Sequence, residues 1–218
     1  MSHPFPPGQR FHELSDLLGS YANVDFTFSD TADAPGPALS AYLRTAARDP
    51  ARATTAIRQI DDLLSIGLFS EEIADEVECL PHIRPPMGTS VEDCLRVVRD
   101  HLHRFLRDPS RIPQVNPQSS WEWNERFPSL GQLLGAYFHR DFSDIYASRE
   151  EALGEYVSET PPEDRAQAAQ EIGELLTMVS SDQELITAGT ALGLDLLPPR
   201  GTTLRTWLES VRRRISEQ

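Results

Sequence analysis

Residues 127–142 read FPSLGQLLGAYFHRDF, and residues 11–26 read FHELSDLLGSYANVDF. At a constant offset of 116 they share eight of sixteen positions: Phe11/Phe127, Leu14/Leu130, Leu17/Leu133, Leu18/Leu134, Gly19/Gly135, Tyr21/Tyr137, Asp25/Asp141 and Phe26/Phe142. In the second stretch Leu130, Leu133, Leu134 and Tyr137 fall at i, i+3, i+4 and i+7, the stripe of one helix face. An internal repeat is read before any motif, because it changes the fold being sought.

The correspondence runs outward from there. Leu39 and Tyr42 match Leu153 and Tyr156, and Ala56, Ile60, Leu63 and Leu64 match Ala168, Ile172, Leu175 and Leu176. Pro85-Pro86-Met87-Gly88-Thr89 matches Pro198-Pro199-Arg200-Gly201-Thr202, followed by Leu95/Leu208, Val98/Val211 and Arg99/Arg212. The offset drifts between blocks, where loops tolerate insertions. Between the copies, Pro109, Pro113 and Pro117 stand among Asn, Gln and Ser and read as a linker. The 218 residues therefore divide into a first, diverged domain over 9–106, a linker over 107–120 and a second domain over 121–217.

The cap signals predict about five helices in each copy. In the second, Pro128 precedes the first stripe. Ser148-Arg-Glu-Glu151, Thr160-Pro-Pro-Glu163 and Ser181-Asp-Gln-Glu184 read as capping boxes. Gly193 stops the fourth helix, and Thr202 or Thr203 caps the last, with Leu204, Trp207, Leu208, Val211 and Ile215 inward. In the first copy Asp49-Pro50, Ser70 and Ser90-Val-Glu-Asp93 start the third, fourth and fifth helices. No alternating apolar pattern predicts a strand. The fold class expected is all-α, two tandem small helical bundles.

Charge narrows the function. The chain carries 34 Asp+Glu against 20 Lys+Arg, a net −14, and every base is Arg. Lacking Lys, it can form neither a Schiff base nor a P-loop. Its acidity argues against nucleic acid or an anionic membrane as direct partner, since phosphate binding needs a basic footprint. A basic protein partner is compatible. Residues 1–110 hold 17 acids and 10 Arg, and residues 111–218 hold the same, so acidity belongs to the domain and not to a tail. Met1–Gly8 has neither a basic nor an apolar signal region, and no apolar run reaches membrane-span length. The expected location is the cytoplasm and the expected state monomeric. Cys79 and Cys94 are too few for a disulfide framework and read as small buried residues.

Catalytic chemistry has few candidates. His101 and His103 stand two apart, on different sides of a helix, and make a poor metal pair. His139 and Asp141 could serve as a base and its orienter, but the first copy has Asn23 in place of His139. The shared Asp reads as a backbone-bonding residue at a helix junction. No GxGxxG, GxxxxGK[ST], HExxH or GxSxG occurs, and no cofactor or metal is expected. Trp121 and Trp123 could anchor a partner, though packing of the linker onto a domain is the simpler reading. Trp207 reads as core.

Two acidic runs remain. Glu71, Glu72, Asp75 and Glu76 would share one side if the segment were a helix, and Glu150, Glu151, Glu155 and Glu159 form a similar ridge in the second copy. Such a run is commonly a solvated face. The sharper reading makes Glu71, Glu72, Asp75, Glu76, Glu150, Glu151 and Glu155 a docking surface for a basic protein.

The repeated unit resembles the immunity proteins of contact-dependent growth inhibition systems. The matching residues are Phe127, Pro128, Leu130, Leu133, Leu134, Tyr137, Phe138, His139, Asp141 and Phe142. Leu175-Leu176 and the approach through Gly201-Thr202 to Arg205, Trp207 and Leu208 complete the pattern. The first copy departs from it at Asn23 and at Cys94, which stands for Trp207. The resemblance implies a cytoplasmic inhibitor rather than an enzyme, one that binds the toxic C-terminal domain of a cognate effector. It carries over no catalytic residue and no binding site. The charge adds that a basic nuclease would suit an acidic inhibitor. The alternative is a helical adaptor or regulator without a toxin partner.

Overall fold

The structure is a computed structural model and describes residues 10–113, 115–196 and 198–217; the reading of Met1–Gly8 lies outside them. The fold is all-α, as expected. Among the described residues there are twelve α-helices and no strand, with one parallel bridge between Thr27 and Arg84. The chain divides into two compact units, Met1–Val115 and Asn116–Gln218.

The first unit holds α1 (His12–Gly19), α2 (Pro37–Ala46), α3 (Pro50–Ile66), α4 (Ala74–Glu78) and α5 (Val91–Arg107). Asp49 accepts the Ala51 N–H at the start of α3, with Pro50 in the first turn, and Ser90 accepts the Asp93 N–H at the start of α5. Helix α1 gives way to a 3₁₀ turn at Ser20–Val24, and Asp25 and Phe26 end it in left-handed conformation. Helix α3 packs on α1 and α5, burying Leu14, Leu17, Ile60, Leu63, Leu95 and Val98. Full burial of such side chains stabilises by roughly 1.5–3 kcal/mol each.

The second unit holds α6 (Ser120–Arg126), α7 (Pro128–Tyr137), α8 (Phe142–Ile145), α9 (Arg149–Glu159), α10 (Pro162–Met178), α11 (Asp182–Ala191) and α12 (Leu204–Ser216). Its core joins Phe127, Leu130 and Leu134 to Ile172, Leu175 and Leu208, with α10 packed on α7 and α12. Trp207 is core, edge-on to Phe138 at 5.1 Å. Seven helices replace the five expected. Helix α6 takes up the Trp121–Trp123 segment, its Trp123 ring stacked on Phe127 at 5.9 Å. Helix α8 is a single turn following Asp141.

The caps hold in part. Ser148, Ser181 and Thr203 accept the N–H groups of Glu151, Glu184 and Thr206. Thr160 caps nothing at the start of α10, because that helix begins one residue later, behind Pro161, and Thr160 instead closes α9. Ser70 caps a 3₁₀ turn, Glu71–Ile73, rather than a full helix. Cys94 is buried, but Cys79 is exposed at the end of α4, a helix with no buried residues of its own.

Two contacts recur at matched positions. Phe11 and Phe127 precede α1 and α7 and cannot cap them. A side chain from the long neighbouring helix supplies the cap instead: Gln59 Oε1 accepts the Leu14 N–H at 2.8 Å, and Glu171 Oε2 accepts the Leu130 N–H at 2.8 Å. Arg10 lies 5.5 Å over the Phe11 ring and pairs with Asp62 at 3.1 Å. Arg126 lies 5.4 Å over the Phe127 ring and pairs with Glu174 at 2.5 Å.

Candidate partner-binding surfaces

The first acidic run does not form one helix. A 3₁₀ turn carries Glu71 and Glu72, and the five-residue α4 carries Asp75 and Glu76. Ile73 between them is fully buried and pins the segment to the core. Glu71, Glu72 and Asp75 are exposed and Glu76 is half-buried. Glu72 reaches Arg10 at 3.5 Å.

In the second unit Glu150, Glu151, Glu155 and Glu159 are all exposed on α9. Three of them accept hydrogen bonds from their own unit. Glu151 takes the Ala147 N–H at 2.7 Å, Glu155 the Tyr146 hydroxyl at 2.9 Å and Glu159 the Tyr137 hydroxyl at 3.4 Å. Desolvation, followed by the bond to Glu155, pushes the Tyr146 hydroxyl up to about 12. These bonds fix the carboxylates in place but leave them facing water.

His139 and His101 are each held by backbone. His139 Nδ1 accepts the Asp141 N–H at 3.1 Å, so the ring nitrogen that would meet an orienting carboxylate is already engaged with main chain. His101 is buried and donates from Nε2 to the Thr31 carbonyl at 2.7 Å. Burial pushes the Cys94 thiol up to about 11, with Asp30 and Asp93 adding to it, which keeps the reactive thiolate scarce. Among the described residues no group of three or more His, Cys, Asp or Glu could hold a metal ion. No helix among them is long and apolar enough to cross a membrane.

Buried polar groups in the first unit close on one another. Glu13 accepts from the Tyr42 hydroxyl at 2.8 Å and from Arg52 Nε at 2.9 Å. Asp30 accepts from the Tyr21 hydroxyl at 2.6 Å and the Gly36 N–H at 2.6 Å. Both tyrosines are driven above their ordinary value, first by burial and then by those carboxylates. Glu13 thus ties α1 to α2 and α3, and Asp30 ties its loop to the 3₁₀ turn and to the start of α2.

Sequence reasoning missed an apolar groove of about 540 Å³ in the first unit. Leu18, Leu63 and Leu95 line it from α1, α3 and α5, Val77 from α4, and Leu68 and Leu80 from the segments on either side of that helix. Phe69 stands at it with 95% of its surface exposed. The available signal was Leu68-Phe69 directly after Gly67, two large apolar residues beyond the end of a helix stripe.

Residues 126–215 match the family model described as CdiI immunity protein. The matched segment runs from the end of α6 through most of α12, and so takes in one copy of the repeat. No curated protein and no solved structure matches the chain.

Proposed function

We propose that the chain is a cytoplasmic immunity protein that binds and neutralises the toxic C-terminal domain of a cognate contact-dependent growth inhibition effector. The carrying observation is the match of residues 126–215 to the CdiI immunity protein family. The mechanism is stoichiometric occlusion rather than catalysis. In support, His139 and His101 are engaged by main chain, and the Cys94 thiol is held protonated.

The first unit is a second, diverged copy of the same domain. Its support is the recurrence of the Arg–Phe–carboxylate contact and of the long-range cap at offsets already read from the sequence. Helices α3 and α10, each of 17 residues, occupy corresponding places. With a net charge of −14, the toxin that suits this inhibitor is a basic nuclease whose nucleic-acid surface carboxylates can cover. Coexpression with the toxin domain encoded beside it tests the reading. Rescue of growth together with an equimolar complex is expected; a toxin that still kills and does not copurify would overturn it.

A further inference from the structure

In the second unit α11 runs for ten residues and packs on α6 and α12, with Leu185, Ala188 and, just past its end, Leu192 buried. At the repeat offset of 112 these positions correspond to Ile73, Glu76 and Leu80. There the first unit has only a 3₁₀ turn and the five-residue α4. Ile73 and Leu80 remain buried, but Val77 is only half-buried. In the second unit a cavity of about 140 Å³ lies beside α11, against Leu194, Pro198 and Leu204, smaller than the groove of about 540 Å³ in the first. Where the second unit has the ten-residue α11, the first has the five-residue α4 and the larger apolar opening.

The charge around that opening is one-sided. The wall between Phe69 and Val77 carries Glu71, Glu72, Asp75 and Glu76, and Glu92 lines the groove. Of the nearby bases, Arg10 is paired with Asp62 and Glu72, Arg84 with Asp25 and Arg96 with Asp93. His82 also lines the groove. A second copy of this chain would bring the same carboxylates to the same rim, which like-charge repulsion disfavours.

We propose that this groove receives the apolar side chains of a toxin segment in which Arg or Lys flanks them. They fill the space beside Leu18, Leu63 and Leu95. Phe69 folds over them, and the wall carboxylates meet the flanking bases. This rests on the reading of the chain as an immunity protein and assigns the docking role to the first unit, with Phe69 as its anchor.

The test titrates the full-length chain with a catalytically inactive form of the toxin domain encoded beside it. Phe69→Ser removes an exposed ring and should leave the fold intact, while Val77→Trp fills the groove. Each should weaken binding at least tenfold, and the combined Glu71→Arg and Asp75→Arg variant should do the same with a reduced salt dependence. Glu209→Arg, the same charge reversal at an exposed position on α12 of the second unit, should bind as the wild type does. Wild-type binding together with unchanged affinity in Phe69→Ser and Val77→Trp would overturn the groove and leave the immunity reading standing. No binding by the wild type would overturn that reading and the groove with it. Sedimentation showing a dimer that Phe69→Ser dissociates would make a second copy the occupant and overturn the proposal.

Discussion

Glu171 is 3% exposed, and its carboxylate serves the backbone of another helix. The corresponding Gln59 does the same work without charge. What both sites require is an acceptor for one orphan N–H, so Glu171→Gln should be tolerated within about 1 kcal/mol. Glu171→Leu leaves that N–H buried and unpaired, and should cost about 1–3 kcal/mol in urea unfolding. The two thiols separate by burial in the same way: at neutral pH a thiol reagent should modify Cys79 quickly and Cys94 only on unfolding. Cys94 has its thiol raised from 9.0 to about 11, so its contribution to stability is complete below pH 9 and is lost as pH rises through about 11. Urea midpoints measured across that window should fall less steeply for Cys94→Ala than for the wild type.

Elements were legible wherever a local signal acts alone. Ser148, Ser181, Ser90 and Asp49 begin helices because a short polar side chain can reach an N–H two or three residues on. Thr160 misled because Pro161 and Pro162 both follow it, and the helix could start behind either. Helix α6 was hidden by its linker-like approach, and the acidic run was read as a helix because charge spacing alone carries no information about length. The stop at Gly193 was readable. Gly193 sits at φ +91°, Leu194 N–H bonds to the Gly189 carbonyl, and Gly193 N–H to that of Thr190, the Schellman arrangement. A Cβ there would stand 2.7 Å from the Gly135 Cα, whereas one at Gly88, φ +81°, meets nothing within 4 Å. Gly88→Ala should therefore cost only the roughly 1–2 kcal/mol of left-handed strain. Gly193→Ala should cost more, because backbone must also move, as thermal unfolding would register. The groove was illegible for a related reason: it arises from the shortness of α4, and only comparison with α11 in place reveals what is missing.

For the whole molecule, the sequence supplied the all-α class, the repeat and the framework positions, since Phe11, Leu14, Leu17, Phe127, Leu130 and Leu133 are all buried. The binding surface was less accessible, because partner contacts follow the partner's chemistry and leave no period in the chain. A net charge of −14 should act on encounter: association with a basic toxin domain should slow several-fold or more between about 50 and 500 mM salt while dissociation changes less, measurable by stopped flow. Residues 116–218 form one compact unit with their own core. Expressed alone, they should unfold in a single cooperative transition that calorimetry resolves.

The Arg10–Asp62 and Arg126–Glu174 pairs, each with its arginine over its own phenylalanine, have a consequence for the newly made chain. Two interchangeable clasps on one polypeptide allow the wrong halves to fasten, so that the leading helix of one unit is offered to the long helix of the other. Mispairing of this kind is the characteristic hazard of repeated domains. Synthesis from the N-terminus gives Arg10 a head start, because Asp62 emerges well before Glu174 exists. Refolding from denaturant grants no such order, and the same chain released all at once should recover more slowly, passing through crossed forms that the ribosome never lets it sample.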